Sequence, residues 1–300
     1  MALQLVSCDK QYEKFPQLIR SEVLKLQDWY NRQPHTPSIT ELEAMRFLHA
    51  CYYSVEQAKI CLDTYHTART HWPEFFKNRN VHGTDVTSQM KIASFTLLPE
   101  LTAEGYGVIL CRLIDSEVLK FNFWNSVKLF GMVTDVWFAQ NDLRQGYVCV
   151  IDMKGCTLMH LTRVNVIALK KFMFYIQEAL PIRLKAIHFI NTVSFMDKVL
   201  ALMKPFTKKE LMNMLQLHAT MDTFLDKCVP KSAMPNEYGG SAGDAEKMRE
   251  NSYTSMQANA RFFEEEETTK RVNEKLRQGK PHGDGDIFGL DGSFKQLSFD

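Results

Sequence analysis

Long apolar runs are missing from this 300-residue chain. No stretch approaches the roughly 18 apolar residues that a bilayer-spanning helix needs. The start, MALQLVSCDKQYEKF, has no basic segment ahead of a long apolar core, so it does not read as a secretory signal. The seven cysteines are odd in number and lack CxxC pairs; Cys111 and Cys149 lie inside apolar runs. That pattern predicts reduced, buried thiols in a cytosolic protein rather than a disulfide framework. Charge of one sign is lacking too. Thirty-six Lys/Arg stand against 35 Asp/Glu, a net +1, which excludes the global basic field of a nucleic-acid binder.

Signatures of catalysis and metal binding are equally scarce. There is no P-loop, no GxGxxG and no GxSxG. Gly283-Asp284-Gly285-Asp286 lacks the glutamate and flanking helices of a calcium loop. The nine histidines are scattered; His188 and His218 sit inside apolar strands, where histidine is expected as a satisfied core residue. No aromatic–basic RNA-binding pattern occurs. The chain is therefore expected to have no catalytic residues, no cofactor, no metal and no nucleic-acid partner.

What is present is hydrophobic residue, 45% of the chain, with 15 methionines. This is globular composition, and methionine suits adaptable apolar surfaces. Residues 241–300 hold 9 Lys/Arg against 12 Asp/Glu, leaving 27 against 23 for the rest. The body is mildly basic and the tail mildly acidic.

Residues 1–80 read as helices: Phe15–Arg32, a second opened by the capping box Thr40–Glu43, and a third opened at Ser54 that carries Ala58, Cys61, Leu62 and Tyr65 on one face. From about residue 105 strands alternate with helices. Gly107–Leu113, Tyr147–Met153, Ala186–Asn191 and Leu215–Ala219 are strand-like; Phe121–Leu143 and Val164–Leu180 are helical. The alternation predicts an α/β sheet with crossover connections. Arg261–Gln278 reads as a solvated helix with Glu266–Lys270 and Glu267–Arg271 pairs, and 279–300 as a tail.

Phe195–Phe206 is distinctive. Phe195, Met196, Val199, Leu200, Leu202 and Met203 occupy most of a helix circumference, leaving a narrow stripe for Asp197, Lys198 and Lys204. Such a helix must be buried, cover a cavity or touch a membrane. A bound apolar ligand would account for the excess, since each buried CH₂ contributes about 0.8 kcal/mol, and a cavity that exchanges its ligand needs a door.

Four segments, in order, carry a resemblance. They are Arg46-Phe47-Leu48-His49-Ala50 with Tyr53–Ala58; Gly146–Gly155; Ile187-His188-Phe189-Ile190-Asn191 with Lys204-Pro205-Phe206; and Pro235-Asn236-Glu237-Tyr238-Gly239-Gly240. Together they resemble the CRAL-TRIO lipid-binding family over residues 15–241. The resemblance implies an α/β fold: an N-terminal all-helical module (1–85), an α/β/α CRAL-TRIO domain with a small mixed sheet and a mobile lid helix (86–241), and a polar C-terminal helix and flexible tail (242–300).

It also implies non-enzymatic binding and intracellular transfer of a small hydrophobic ligand, such as a retinoid, tocopherol or carotenoid, between membranes. Carried over by position, the pocket walls are Ser126, Leu129, Val133, Ile151, Phe172, Tyr175, Ile176, Leu180, Ile182 and Ile187. The lid contributes Val193, Val199, Leu200 and Met203. Arg183, Lys204, Lys208 and Lys209 would meet lipid head groups, giving a cytoplasmic protein with transient contact to acidic membranes. An alternative is a membrane-surface or protein-docking scaffold that recruits a partner through Arg261–Gln278.

Two departures from the family pattern narrow this. Thr192 replaces a common proline, and Leu211–Leu215 stands where tocopherol-binding members carry lysine and arginine, so specific phosphoinositide exchange is not implied. Leu129 and Val133 replace serines. Ser126, Thr134 and Tyr175 are the polar groups placed to fix a ligand hydroxyl or carbonyl, and the pocket is expected to be drier.

Overall fold

The computed structural model describes residues 5–283 and 287. The chain divides into two compact units. One holds Arg79–Met173 and Ile182–Phe263; the other holds Ser7–Asn78, Phe174–Pro181 and the chain from Glu264 onward. The domain division at 85 and 241 that the resemblance implies remains a proposal; the two compact units group residues by contact. The glycine–aspartate segment at 284–286 and most of the expected tail lie outside the described residues.

The helical unit carries α1 (Arg20–Asn31), α2 (Glu41–Ala50) and α3 (Val55–His71). The first begins five residues later than expected, after a separate short helix, Cys8–Lys14. The Thr40–Glu43 capping box is present in both directions: Glu43 N donates to Thr40 Oγ1 (3.2 Å) and Thr40 N donates to Glu43 Oε2 (2.7 Å). Ser54 caps one way only, accepting from Gln57 N at 3.4 Å.

The other unit is built on a sheet of β1 (Ala93–Leu101), β2 (Tyr106–Leu113), β3 (Gly146–Asp152), β4 (Leu184–Ile190) and β5 (Leu215–Leu217). Spatial order equals chain order; β1–β2 is antiparallel and the rest parallel. Three crossover helices join the parallel strands: α4 (Phe123–Gln140), α5 (Val166–Phe174) and α6 (Met196–Met203). Right-handed crossovers stepping in one direction put their helices on one face. No helix among the described residues is long and apolar enough to cross a membrane.

Four strands match the sequence reading to within about two residues; β2, β3 and β4 do so because their apolar runs are those of mostly buried central strands, whereas β5 is a short, largely exposed edge strand. β1 was not expected. Pro99 interrupts its pattern, which an edge strand tolerates, and the register slips between Leu97 and Leu101. The expected helix Phe195–Phe206 stops at Met203 and tightens into a 3₁₀ turn, Lys204–Phe206, around Pro205.

Beyond α7 (Ala245–Ala258) comes α8 (Ala260–Thr269). Its acidic half is solvated at Glu264 and Glu265, as expected, but not at Glu266, and the helix ends at Thr269. Glu266 is 7% exposed and accepts from Arg69 (2.9 Å) and Arg271 (2.6 Å), while Lys270 pairs with Glu43 at 2.9 Å.

Candidate functional site

The two faces of the sheet are closed to different degrees. Side chains alternate along a strand. Val108, Leu110, Val148, Val150, Ala186 and Ile190 point to one face, where Phe224, Val229, Ala233, Met234 and Tyr238 from the chain after β5 cover them. Val150, Ile190 and Phe224 are 0% exposed. On the opposite face Phe95, Cys111 and Ile151 lie in one cross-strand row, with Cys149 in the next, and all four are only half-buried. Their neighbours Ile109, Ile187 and Phe189 are closed. The half-open patch is thus local, toward the carboxyl ends of β2 and β3, where open α/β sheets bind ligands.

Helix α4 lies over this face. Phe130 meets Phe95 (ring centroids 5.4 Å) and Phe138 meets Tyr147 (5.7 Å). Phe172 of α5 continues the series, 5.6 Å from Phe130 and 6.4 Å from Phe123. Phe123, in turn, lines a surface cleft of about 630 Å³ walled also by Trp124, Arg163, Val166 and Ile167. A ladder of half-buried phenylalanines therefore runs from a solvent-facing cleft to the sheet. The volume falls in the range of small-molecule sites, about 300–1,000 Å³.

The expected site residues divide into three groups. Ile151, Phe172, Ile182, Val193, Val199, Leu200 and Met203 are half-buried; along α6 only Met196 is fully buried. Ser126, Leu129, Val133 and Ile187 are closed, at 5% exposure or less. Tyr175, Ile176 and Leu180 belong to the other unit. They lie in or just after a π-wound turn, Tyr175–Ala179, that follows α5.

Tyr175 is occupied there. Its hydroxyl accepts from Arg69 Nε (3.2 Å) and Nη2 (3.1 Å), and its ring packs on Tyr65 and Phe76. The other two expected anchors are also satisfied within the protein. Ser126 Oγ contacts Gln89 Oε1 (3.1 Å) and donates to Asn122 O (2.9 Å); Thr134 Oγ1 donates to Phe130 O (2.9 Å). Among the expected head-group residues Lys204, Lys208 and Lys209 are exposed, but Arg183 is buried at 7%.

Three of the four sequence motifs converge on one carboxylate. Asp152, ending β3, accepts from Tyr238 Oη (2.8 Å), Asn191 Nδ2 (2.9 Å) and Lys154 N (2.9 Å). Burial beside Asp152 pushes the Tyr238 phenol well above its usual range. Gly240 closes the same segment: a Cβ there would fall 1.9 Å from Met234 O. These residues lock the closed face, and their place in the motifs is architectural.

Sequence reasoning missed one cluster. His188 and His218, expected as separate core residues, lie 3.0 Å apart (Nδ1 to Nε2) with Cys228 beside them. Burial, with the neighbouring His218, pushes His188 down to about 4; burial lowers His218 and raises Cys228. Nothing in the sequence links positions 30 and 40 residues apart; the β4–β5 pairing brings the histidines together and the segment after β5 brings Cys228.

Residues 95–240 match the model of the CRAL/TRIO domain and residues 15–86 that of the Pinta-like UBA domain. The chain carries a CRAL-TRIO domain over residues 95–240. Alpha-tocopherol transfer protein-like of Homo sapiens is 26% identical over 208 residues, 69% of this chain and 60% of that protein. The Mus musculus protein of the same name is 25% identical over 238 residues, 78% and 69% of the two chains. Clavesin-1 of Xenopus laevis is 18% identical over 228 residues, 75% and 69%. The match thus spans 60% of the human relative's length. The crystal structure of Sfh5 aligns over 96% of this CRAL-TRIO chain and 97% of its own, with 14% identity and a TM-score of 0.42.

Proposed function

We propose that this CRAL-TRIO protein is a non-enzymatic carrier that binds one small hydrophobic molecule and transfers it between membranes. The ligand lies against the half-open face of the sheet, beneath α4 and α5. Helix α6 is its lid, with Val199, Leu200 and Met203 turned inward, and the exposed lysines Lys204, Lys208 and Lys209 meet acidic head groups when it opens. The protein works in the cytoplasm and touches membranes transiently.

One observation carries the reading: a row of apolar side chains in the middle of a sheet is half-buried on one face while the same strands are sealed on the other. Protein interiors are close-packed, so partial closure at central strands marks space for another apolar body. The crossover rule supports placing α6 on that face. The names of the relatives, alpha-tocopherol transfer protein-like among them, support transfer of a lipophilic cargo. The satisfied hydroxyls of Ser126 and Thr134 favour a uniformly apolar ligand, in the range of retinoids, tocopherols or carotenoids.

The test is extraction and mass analysis of what co-purifies with the chain from its native tissue. One apolar species of a few hundred daltons in a 1:1 ratio is expected. Recovery of no apolar molecule, or of bulk phospholipid in variable amounts, would overturn the proposal.

A further inference from the structure

The cluster on the closed face has donor chemistry that the carrier function leaves unused. His188 is central in β4 and 2% exposed; His218 follows β5 at 6% exposure and is held by its backbone N–H to Phe189 O at 2.8 Å. Cys228 is half-buried in the covering segment, its N–H bonded to Phe224 O at 2.9 Å. One donor atom from each lies within 4.8 Å of the other two. Phe224, itself fully buried, packs on both imidazoles at 5.4 and 5.3 Å and fixes their planes.

The Thr223 hydroxyl selects the tautomer of His218. Thr223 Oγ1 donates its proton to Thr220 O (2.8 Å), so a lone pair faces His218 Nδ1 at 3.4 Å. Nδ1 then carries the proton, and Nε2 directs its lone pair at His188, the arrangement a metal-binding imidazole requires.

We propose that His188 Nδ1, His218 Nε2 and Cys228 Sγ bind a single divalent transition-metal ion of the zinc type. Metal–nitrogen bonds of about 2.0–2.1 Å and a metal–sulfur bond of about 2.3 Å put tetrahedral ligand atoms roughly 3.3–3.6 Å apart. The imidazoles need to part by only a few tenths of an ångström and the thiol to close by about one. Two imidazoles and a thiolate suit zinc or cobalt and disfavour magnesium and calcium. Three protein ligands leave a fourth position for water. Binding is proton-balanced: Cys228 releases its thiol proton to solvent, and His188 moves its proton from Nδ1 to Nε2, so one proton leaves per metal ion.

The site lies on the face opposite the proposed lipid, so its failure and the failure of the carrier reading are separable. Cobalt(II) titration of the full chain tests it. Wild type is expected to take up one equivalent with a thiolate-to-cobalt charge-transfer band, displaced by zinc, and to release one proton. Cys228→Ser and Cys228→Ala, checked for folding by far-UV circular dichroism, are expected to lose the band. Thr223→Val is expected to keep the band and weaken affinity about tenfold. Binding below one equivalent, or a band that survives in both folded Cys228 variants, overturns the site; unchanged affinity in Thr223→Val overturns the tautomer argument.

Discussion

The two faces of this sheet use the same strands and end differently. Val148, Val150, Ala186 and Ile190 face a covering segment that ends in Tyr238 and the two glycines, and all four are buried beneath it. Cys149 and Ile151, one residue along from Val148 and Val150, face crossover helices and are half-buried. The difference lies in the cover. A segment pinned by Asp152 and by an obligatory glycine can approach the strands closely; helices that meet through phenylalanine edges hold themselves apart. On the proposed reading, one face contributes stability and the other holds the ligand.

The largest effect is expected from truncating the closed face. Phe224→Ala should cost about 3–5 kcal/mol in urea unfolding, the usual range for a buried phenylalanine. Ile151→Ala, equally central but half-buried, should cost about half of that or less. Equal losses would erase the distinction between the faces.

Acid offers a control away from the sheet. His66 is 2% exposed, bonded to Tyr30 Oη at 2.8 Å, and burial pushes its pKa down to about 4. A histidine depressed on folding binds fewer protons in the native state. Its contribution is full above the unfolded value of about 6.5 and is lost as pH falls from there toward 4, on the order of 3 kcal/mol. Unfolding midpoints followed across that window should fall in wild type and change less in His66→Gln. Comparisons of the two faces should therefore be made above pH 7.

Removing the latch comes next. Tyr238→Phe deletes one donor to Asp152 and should cost about 1–3 kcal/mol, leaving ligand retention unchanged. The smallest stability change is expected for Met203→Asp on the proposed lid, α6, under about 1 kcal/mol by thermal unfolding, because the side chain is not fully closed. The same change should reduce ligand retention at least tenfold, since a carboxylate would be desolvated against the cargo. Unfolding of Met203→Asp would make α6 part of the core.

What the sequence shows follows the range of its patterns. YVCVID and AIHFI are local runs, and their strands appear within two residues of where periodicity puts them; the Thr40 capping box is four residues long and forms as read. The motifs were legible as a family and silent about purpose: Asp152, Asn191 and Tyr238 are scattered over 86 residues and meet only in the fold. Tyr175 read as a ligand anchor because nothing local reveals a partner 106 positions away, Arg69. β1 was hidden by its proline. The candidate pocket was half legible, for closed and half-open apolar positions look alike in sequence. Leu129 and Val133 prove fully closed, while Phe95, Phe130 and Cys149 were not picked out.

The account turns on whether cargo lies against the half-open face. Two cysteines there, Cys111 and Cys149, have sulfurs 3.9 Å apart, and Cys228 on the closed face is an internal reference. The direct measurement is modification by a small apolar organomercurial, read peptide by peptide by mass spectrometry, with and without saturating ligand. The account predicts that ligand protects Cys111 and Cys149 and leaves Cys228 unchanged. Equal modification of Cys111 and Cys149 in both states, with ligand bound, would contradict it.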